Sequence, residues 1–144
     1  MTSADPTVAI HASAVAWVGK GILLLGAAGA GKSTLVARLL AEGAYLVADD
    51  LVRLVRRAGR LEATAAGAPG LIELRGSGIF RIATTNRVPV NLCVELAPAD
   101  DRDRLPERST TLVAGVAVPS LRAARLEHLS AGQVLLALCC RRTD

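Results

Sequence analysis

The segment that most constrains what this chain can fold into is Gly26-Ala27-Ala28-Gly29-Ala30-Gly31-Lys32-Ser33. It matches G-x-x-x-x-G-K-[ST] without departure, and each residue type has a physical reason. Gly26, Gly29 and Gly31 allow backbone angles that other residues avoid, so consecutive amides can point inward at a polyphosphate. Lys32 supplies a point charge for the β and γ phosphates. The Ser33 hydroxyl is placed to ligate Mg²⁺, and a helix beginning there adds its partial positive charge. The expectation is an ATP·Mg²⁺ loop running from Gly26 through Thr34. A chance match in a chain rich in glycine and alanine is the alternative, and two facts weigh against it. The flanking pattern is the one the motif requires, and Lys20 and Lys32 are the only lysines among 17 basic residues.

Ahead of the loop, Ile22–Leu25 is a short continuous apolar run, as expected of a strand covered on both faces. Behind it, Ser33–Glu42 spaces Leu35, Val36, Leu39 and Leu40 on one helical face, with Gly43 where a helix C′ glycine is expected. Tyr45–Ala48 reads as a second strand ending at Asp49-Asp50. The order is strand, loop, helix, strand: a βαβ unit with parallel strands. Upstream, Val8–Val18 reads as a strand interrupted by His11, with a turn at Gly19-Lys20-Gly21. Downstream, Leu51–Arg57 and Leu61–Ala66 form a hairpin about Ala58-Gly59-Arg60. Leu71–Arg75 reads as a strand that Ile79–Ile82 continues. Val88–Leu96 alternates with Val88, Val90, Leu92, Val94 and Leu96 on one face, and Pro89 suits its first residues or an edge. Ala99–Ser109 is charged and reads as a solvated loop. Leu112–Val118 reads as one strand, and Gln133–Cys140 as either strand or helix.

At 144 residues without repeat or linker, the chain is expected to form one domain over 1–144, strand-rich and of the α/β class. Trp17, Tyr45 and Phe80 are its only aromatic residues, so its core must be aliphatic. Three aromatics cannot provide a base-stacking platform, and the arginines are scattered, so the net charge of +4 does not read as nucleic-acid binding. Cys93, Cys139 and Cys140 make no CxxC pair, and Cys93 sits in an apolar alternation as a small core residue. The N-terminus lacks a signal-peptide pattern, and Gly21–Gly31 is about half a membrane span. These features point to a soluble cytoplasmic protein without a membrane partner.

Acids at the end of the strand after such a loop face the Mg²⁺ ion. The pair Asp49-Asp50 offers one carboxylate for metal or its water and another to take a proton from an attacking hydroxyl. Nothing in the residues says which does which, and a solvated turn is the plainer alternative. There is no Asp-x-x-Gly or Asn-Lys-x-Asp, so the chain does not read as a GTPase. Taken singly, His11 and His128 read as structural histidines, and Glu73 and Arg75 as the wet face of a strand. Arg102, Arg104 and Arg108 suit a lid over phosphates or an ordinary solvated loop.

Together these residues resemble the catalytic domain of bacterial HPr kinase/phosphorylase. Three blocks carry the resemblance in order: Gly26–Ser33, Leu46-Val47-Ala48-Asp49-Asp50, and Ile72-Glu73-Leu74-Arg75-Gly76-Ser77-Gly78-Ile79. The last looks like the family signature, an Arg-Gly-x-Gly-Ile segment following a Glu. His11 falls where the family carries an active-site histidine. The match covers residues 8 to 96, and the tail looks more loosely like the short alphaproteobacterial form that lacks an N-terminal domain. The resemblance implies a P-loop core related to phosphoenolpyruvate carboxykinase and assembly into a hexamer. It also implies a kinase that uses ATP and Mg²⁺ to phosphorylate a serine on a small HPr-like phosphocarrier protein, regulating carbon metabolism. In those terms Lys32 holds phosphates and Ser33 ligates Mg²⁺. Asp49 is the base with His11 beside it, and Asp50 and Glu73 serve metal or metal-bound water.

The family's phosphorylase loop, Pro-Val-x-x-Gly-Arg-Asn, has no such counterpart. Val118-Pro119-Ser120-Leu121-Arg122 stands near its place, and neither Arg122 nor Arg125 can be assigned its arginine. The resemblance therefore carries the kinase reaction and leaves phosphorolysis open. Two alternatives use the same loop: a small-metabolite kinase, and a nucleotide-sensing regulatory module with no transferase activity.

Overall fold

We describe the protein from a computed structural model. It describes residues 7–27, 29–66, 70–74, 76–82, 84–96, 107–123 and 129–140, without the side chains of 107–109. Ala28, Arg75, Arg102, Arg104, Arg125 and His128, and the side chain of Arg108, lie outside the described residues.

Among the described residues, eleven strands and two helices are formed: β1 (Thr7–Ile10), β2 (Ser13–Trp17), β3 (Lys20–Gly26), α1 (Lys32–Ala41), β4 (Tyr45–Ala48), β5 (Val52–Arg57), β6 (Arg60–Ala65), β7 (Leu71–Leu74), β8 (Gly78–Arg81), β9 (Arg87–Leu96), β10 (Glu107–Val113), β11 (Val116–Ala123) and α2 (Ala131–Cys139). Nine strands share one sheet in the order β1-β5-β6-β9-β3-β2-β4, with β11 on β9 and β10 on β11. The result is a strand-rich α/β unit.

One aliphatic cluster lies beneath the helices. Leu35, Val36 and Leu39 of α1 and Val134 and Leu138 of α2 bury against Val15, Ile22, Leu24, Leu92 and Val94. The helix face expected from residues 33–42 is therefore the buried one. Gly43 ends α1 at φ 105, and the amides of Gly43 and Ala44 bond back to the carbonyls of Leu40 and Leu39. A residue with a side chain is strained in that conformation, so glycine fixes where the helix stops. On the opposite face, Ala14, Leu23, Val47 and Cys93 bury against Val52, Leu54, Leu61, Ala63 and Val88. Strands β1, β5 and β6 thus cover the second face as helices cover the first. Tyr45 and Phe80 are exposed and Trp17 packs only at the edge, so aliphatic side chains alone close the core.

The strand–loop–helix–strand order is as expected, but the pairing differs. β3 and β4 do not pair, because β2 lies between them and is antiparallel to both. The parallel neighbour of β3 is β9. The run expected as one interrupted strand, residues 8–18, is two strands with different partners: β1 pairs with β5 and β2 with β3 and β4. The break falls at His11 and Ala12.

Three hairpins turn on two residues with positive φ: Val18-Gly19, Ala58-Gly59 and Ala114-Gly115. That geometry matches the twist of the paired strands. It splits residues 112–118, expected as one strand, into the ends of β10 and β11. It also moves the first turn to Val18-Gly19 and puts Lys20 and Gly21 in β3. Residues 79–82 do not continue β7, because β8 folds back antiparallel to it in a separate two-stranded sheet. Residues 107–109, expected in a loop, begin β10.

β9 departs from one-face alternation. Gly21 pairs with Val90 and Ile22 with Leu92, so Asn91 is an extra residue in the ladder. This bulge switches faces: Val88 packs in the second cluster and Leu92, Val94 and Leu96 in the first. The Asn91 side chain accepts the Gly21 amide at 3.2 Å. The segment 133–140 resolves as helix. Ser130 Oγ accepts the Gln133 amide at 3.1 Å, and Gln133 Oε1 accepts the Ser130 amide at 2.7 Å, forming a capping box.

Candidate functional site

The glycine loop leaves the carboxyl end of β3 and enters α1. Gly26 has no room for a side chain, since a Cβ would sit 2.6 Å from the Leu96 carbonyl oxygen of β9. Gly31 caps α1 in a left-handed conformation at φ 107, and no side chain caps its first amides. The first turn also contains no acid. An anion placed there is thus the natural partner for these amides. Lys32 Nζ donates to the Gly26 carbonyl at 2.6 Å, drawing the lysine across the loop from its far end to its start.

The loop borders a cleft of about 640 Å³ lined by Gly26, Ala27, Gly29, Gly31, Lys32, Ser33 and Thr34, with Ala37 behind them. From the other side it is lined by His11, Ser13, Asp49, Asp50, Glu73 and Leu74. Four elements converge here. His11 lies between β1 and β2, Ser13 opens β2, the aspartates follow β4, and Glu73 comes from β7. His11, Asp49, Asp50 and Glu73 were all expected as site residues, and one cleft brings them together. Ala30 is an exception. Its methyl packs against the helix-side core, and its amide donates to Ala27 at 3.0 Å within the loop.

The aspartates are held differently. Ser13 Oγ donates to Asp49 Oδ1 at 2.8 Å and accepts the Asp50 amide at 3.4 Å. Asp50 takes φ 71, a conformation uncommon outside glycine but tolerated by aspartate. Its carbonyl accepts the Ala12 amide at 3.3 Å, fastening the turn after β4 to the break after β1. Asp49 is half-buried, and Asp50, His11 and Glu73 are exposed to the cleft. Ser13, 1% exposed, is the site residue that sequence reasoning missed. Its one signal was a hydroxyl in an otherwise apolar strand.

These residues fit a magnesium nucleotide. The uncapped helix start and the lysine suit polyphosphate, and Ser33, Asp50 and Glu73 offer hard oxygen donors around the same cleft. Among the described residues, no three His, Cys, Asp or Glu side chains form a metal-holding group. Mg²⁺ with a nucleotide needs only one or two protein oxygens, because phosphates and water supply the rest.

Residues 3–124 match the family model described as HPr Serine kinase C-terminal domain. The chain belongs to that family. It is 35% identical over 118 residues to the HPr kinase/phosphorylase of Bordetella pertussis, covering 74% of this chain and 38% of the relative. It is 30% identical over 135 residues to a putative HPr kinase/phosphorylase of Fusobacterium nucleatum, covering 88% of this chain and 22% of the relative. The chain therefore spans well under half the length of these relatives. The solved structure of the Hpr(Ser) kinase/phosphatase from Coxiella burnetii is similar with TM-score 0.73 and 25% identity, covering 90% of this chain and 91% of that one. Among the described residues, no helix is long and apolar enough to cross a membrane.

Proposed function

We propose that this chain is an ATP- and Mg²⁺-dependent protein-serine kinase acting on a small HPr-like phosphocarrier protein in the cytoplasm. The observation that carries this reading is the single cleft that joins Lys32 and Ser33 of the glycine loop to Asp49, Asp50, His11 and Glu73. A module that only sensed magnesium nucleotide would need the loop and carboxylates for the metal; Asp49, held by Ser13, and His11 are in addition to those. Family membership supports the acceptor, since the relatives are named for acting on HPr.

In this reading the glycine loop is a P-loop of the kind found in phosphoenolpyruvate carboxykinase. Its amides and Lys32 bind and orient the β and γ phosphates. Bound Mg²⁺ supplies charge neutralisation at the phosphate oxygens. Ser33, Asp50 and Glu73 are the residues to hold it, directly or through water. Asp49 accepts the acceptor's hydroxyl proton as the serine oxygen bonds to the γ phosphorus. The bond from that phosphorus to its bridging oxygen breaks, and ADP carries the electron pair away. Ser13 holds Oδ1 of Asp49, so the carboxylate meets the serine through its other oxygen. Asp50, exposed to the same cleft without the Ser13 bond to its carboxylate, takes the metal side. His11, exposed to the same cleft, is the further side chain available to the acceptor hydroxyl.

The test is incubation of the protein with ATP, Mg²⁺ and the phosphocarrier protein of the same genome, followed by mass mapping of the products. Phosphoserine on the carrier is the expected result. ATP binding with no transfer to carrier or metabolite supports a sensing module and overturns the kinase reading.

A further inference from the structure

The layer formed by β5, β6 and the start of β9 has an inward and an outward face, and its register separates them. Val52, Leu54, Leu61, Ala63 and Val88 point into the second core cluster. The alternate positions therefore point outward. Arg53 pairs with Thr64, and Thr64 with Arg87, forming one row across three strands. Val55, Glu62 and Pro89 form the next row, and Arg57 opposite Arg60 the last. All four arginines are exposed.

Glu62 is the one acid among these outward residues, and it lies 3.7 Å from both Arg57 and Arg87. Arg57 and Arg87 share this carboxylate, and Arg53 and Arg60 add two further exposed guanidiniums to the same face, which is therefore basic. The sheet register thus brings together on one face arginines that lie as far apart as 53 and 87 in the sequence.

From this face we infer a docking surface for an acidic patch on the protein that accepts the phosphoryl group; the inference rests on the kinase reading above. Charge complementarity fixes the partner's sign. It also excludes a second copy of this chain related by a two-fold axis, because like faces repel. Arginine rather than lysine suits carboxylates, which its planar fork engages in pairs. Val55, Thr64 and Pro89 between the charges give the mixed apolar and charged surface of a protein interface. None of the three aromatic residues lies on it, so bases have nothing to stack on.

Position completes the case. Arg53 lies three residues beyond Asp50, so their Cα atoms are at most about 11 Å apart. Its β1 partner, Ala9, is two residues before His11. The Arg53 end of this face therefore adjoins the turn that carries the aspartates, with Arg57 and Arg60 at its far end, so a protein seated at the cleft and extending along the hairpin meets all of them.

The double variant Arg53→Glu/Arg60→Glu tests this, leaving Arg57 and Arg87 to pair with Glu62. Transfer kinetics are measured with the same phosphocarrier at low and moderate salt, with melting to confirm the fold. We expect KM for the carrier to rise about tenfold, with kcat and KM for ATP unchanged. Wild-type KM should rise with salt while that of the variant stays nearly flat. An unchanged carrier KM with transfer intact overturns the docking surface and leaves the kinase reading standing. No transfer by wild type overturns both. Wild-type retention on duplex DNA or anionic vesicles that the variant loses, with carrier KM unchanged, reassigns the face and overturns the inference.

Discussion

Ser13 Oγ donates to Asp49 Oδ1 at 2.8 Å while accepting the Asp50 amide, so one buried hydroxyl holds both members of the acidic pair. The serine opens β2 and the aspartates follow β4, and these strands are antiparallel neighbours. Removing the hydroxyl frees the carboxylate to rotate and leaves the Asp50 amide without this partner.

Ser13→Ala is expected to lower kcat for phosphoryl transfer about tenfold while leaving ATP affinity unchanged. It should also cost about 1 kcal/mol of stability from the lost hydrogen bonds. Ser13→Thr keeps the hydroxyl and should restore kcat. Steady-state kinetics with calorimetric ATP titration read both effects. Equal kcat for Ser13→Ala and wild type would show that the bond does not position the base.

Lys32→Ala is expected to weaken ATP binding by a hundredfold or more, because a charged donor in the loop is lost at its closest approach to phosphate. Calorimetry with ATP·Mg²⁺ reads it. Unchanged affinity contradicts the assignment of the loop.

Gly26→Ala tests why the loop begins where it does. Its Cβ would press on the Leu96 carbonyl at 2.6 Å, which is backbone of β9 and cannot swing aside. A destabilisation of about 1–3 kcal/mol is expected, together with weaker ATP binding as the loop shifts. Thermal melting and calorimetry check the two arms, and a variant with wild-type melting would mean the strand ends are not packed this tightly.

Cys93 is fully buried, and burial, with the Glu95 carboxylate adding to it, pushes its thiol up from 9.0 to about 12. The folded state thus holds this proton more tightly than the unfolded chain does. Its contribution to stability is complete below pH 9 and is lost as pH rises from 9 toward 12. Melting temperature against pH should fall across that window and fall less in Cys93→Ala. Thiol titration at pH 8 should label Cys139 and Cys140, which are exposed, and reach Cys93 only in denaturant. Rapid labelling of Cys93 in the native protein would contradict its burial.

The parts legible in the sequence are those dictated by local physics. The loop needs its glycines, α1 shows its buried face in the spacing of Leu35, Val36 and Leu39, and Gly43 marks its end. Asp49 and Asp50 were expected beside the loop because phosphate chemistry calls for acids at the next strand end, whereas His11 and Glu73 were expected there only from the family resemblance, and the cleft is lined by all four. What was hidden depends on pairing between distant strands. Nothing local says that β2 inserts between β3 and β4, or that Asn91 bulges and turns Val88 away from Leu92. Ser13 looked like a small residue in an apolar strand until β4 was laid beside it. By contrast, two signals were present and underused. Ser130-x-x-Gln133 is the signature of a capped helix start, and Ala114-Gly115 has the same two-residue form as Ala58-Gly59.

The most direct measurement is the rate of labelled phosphoryl transfer from ATP to the carrier serine by Asp49→Asn, with ATP binding followed in parallel. Asparagine keeps the shape and the acceptor oxygen for Ser13 but cannot take a proton from the serine. The prediction is intact ATP binding with transfer lowered by at least a hundredfold, the usual contribution of a positioned general base. Transfer within a few-fold of wild type would contradict Asp49 as the base.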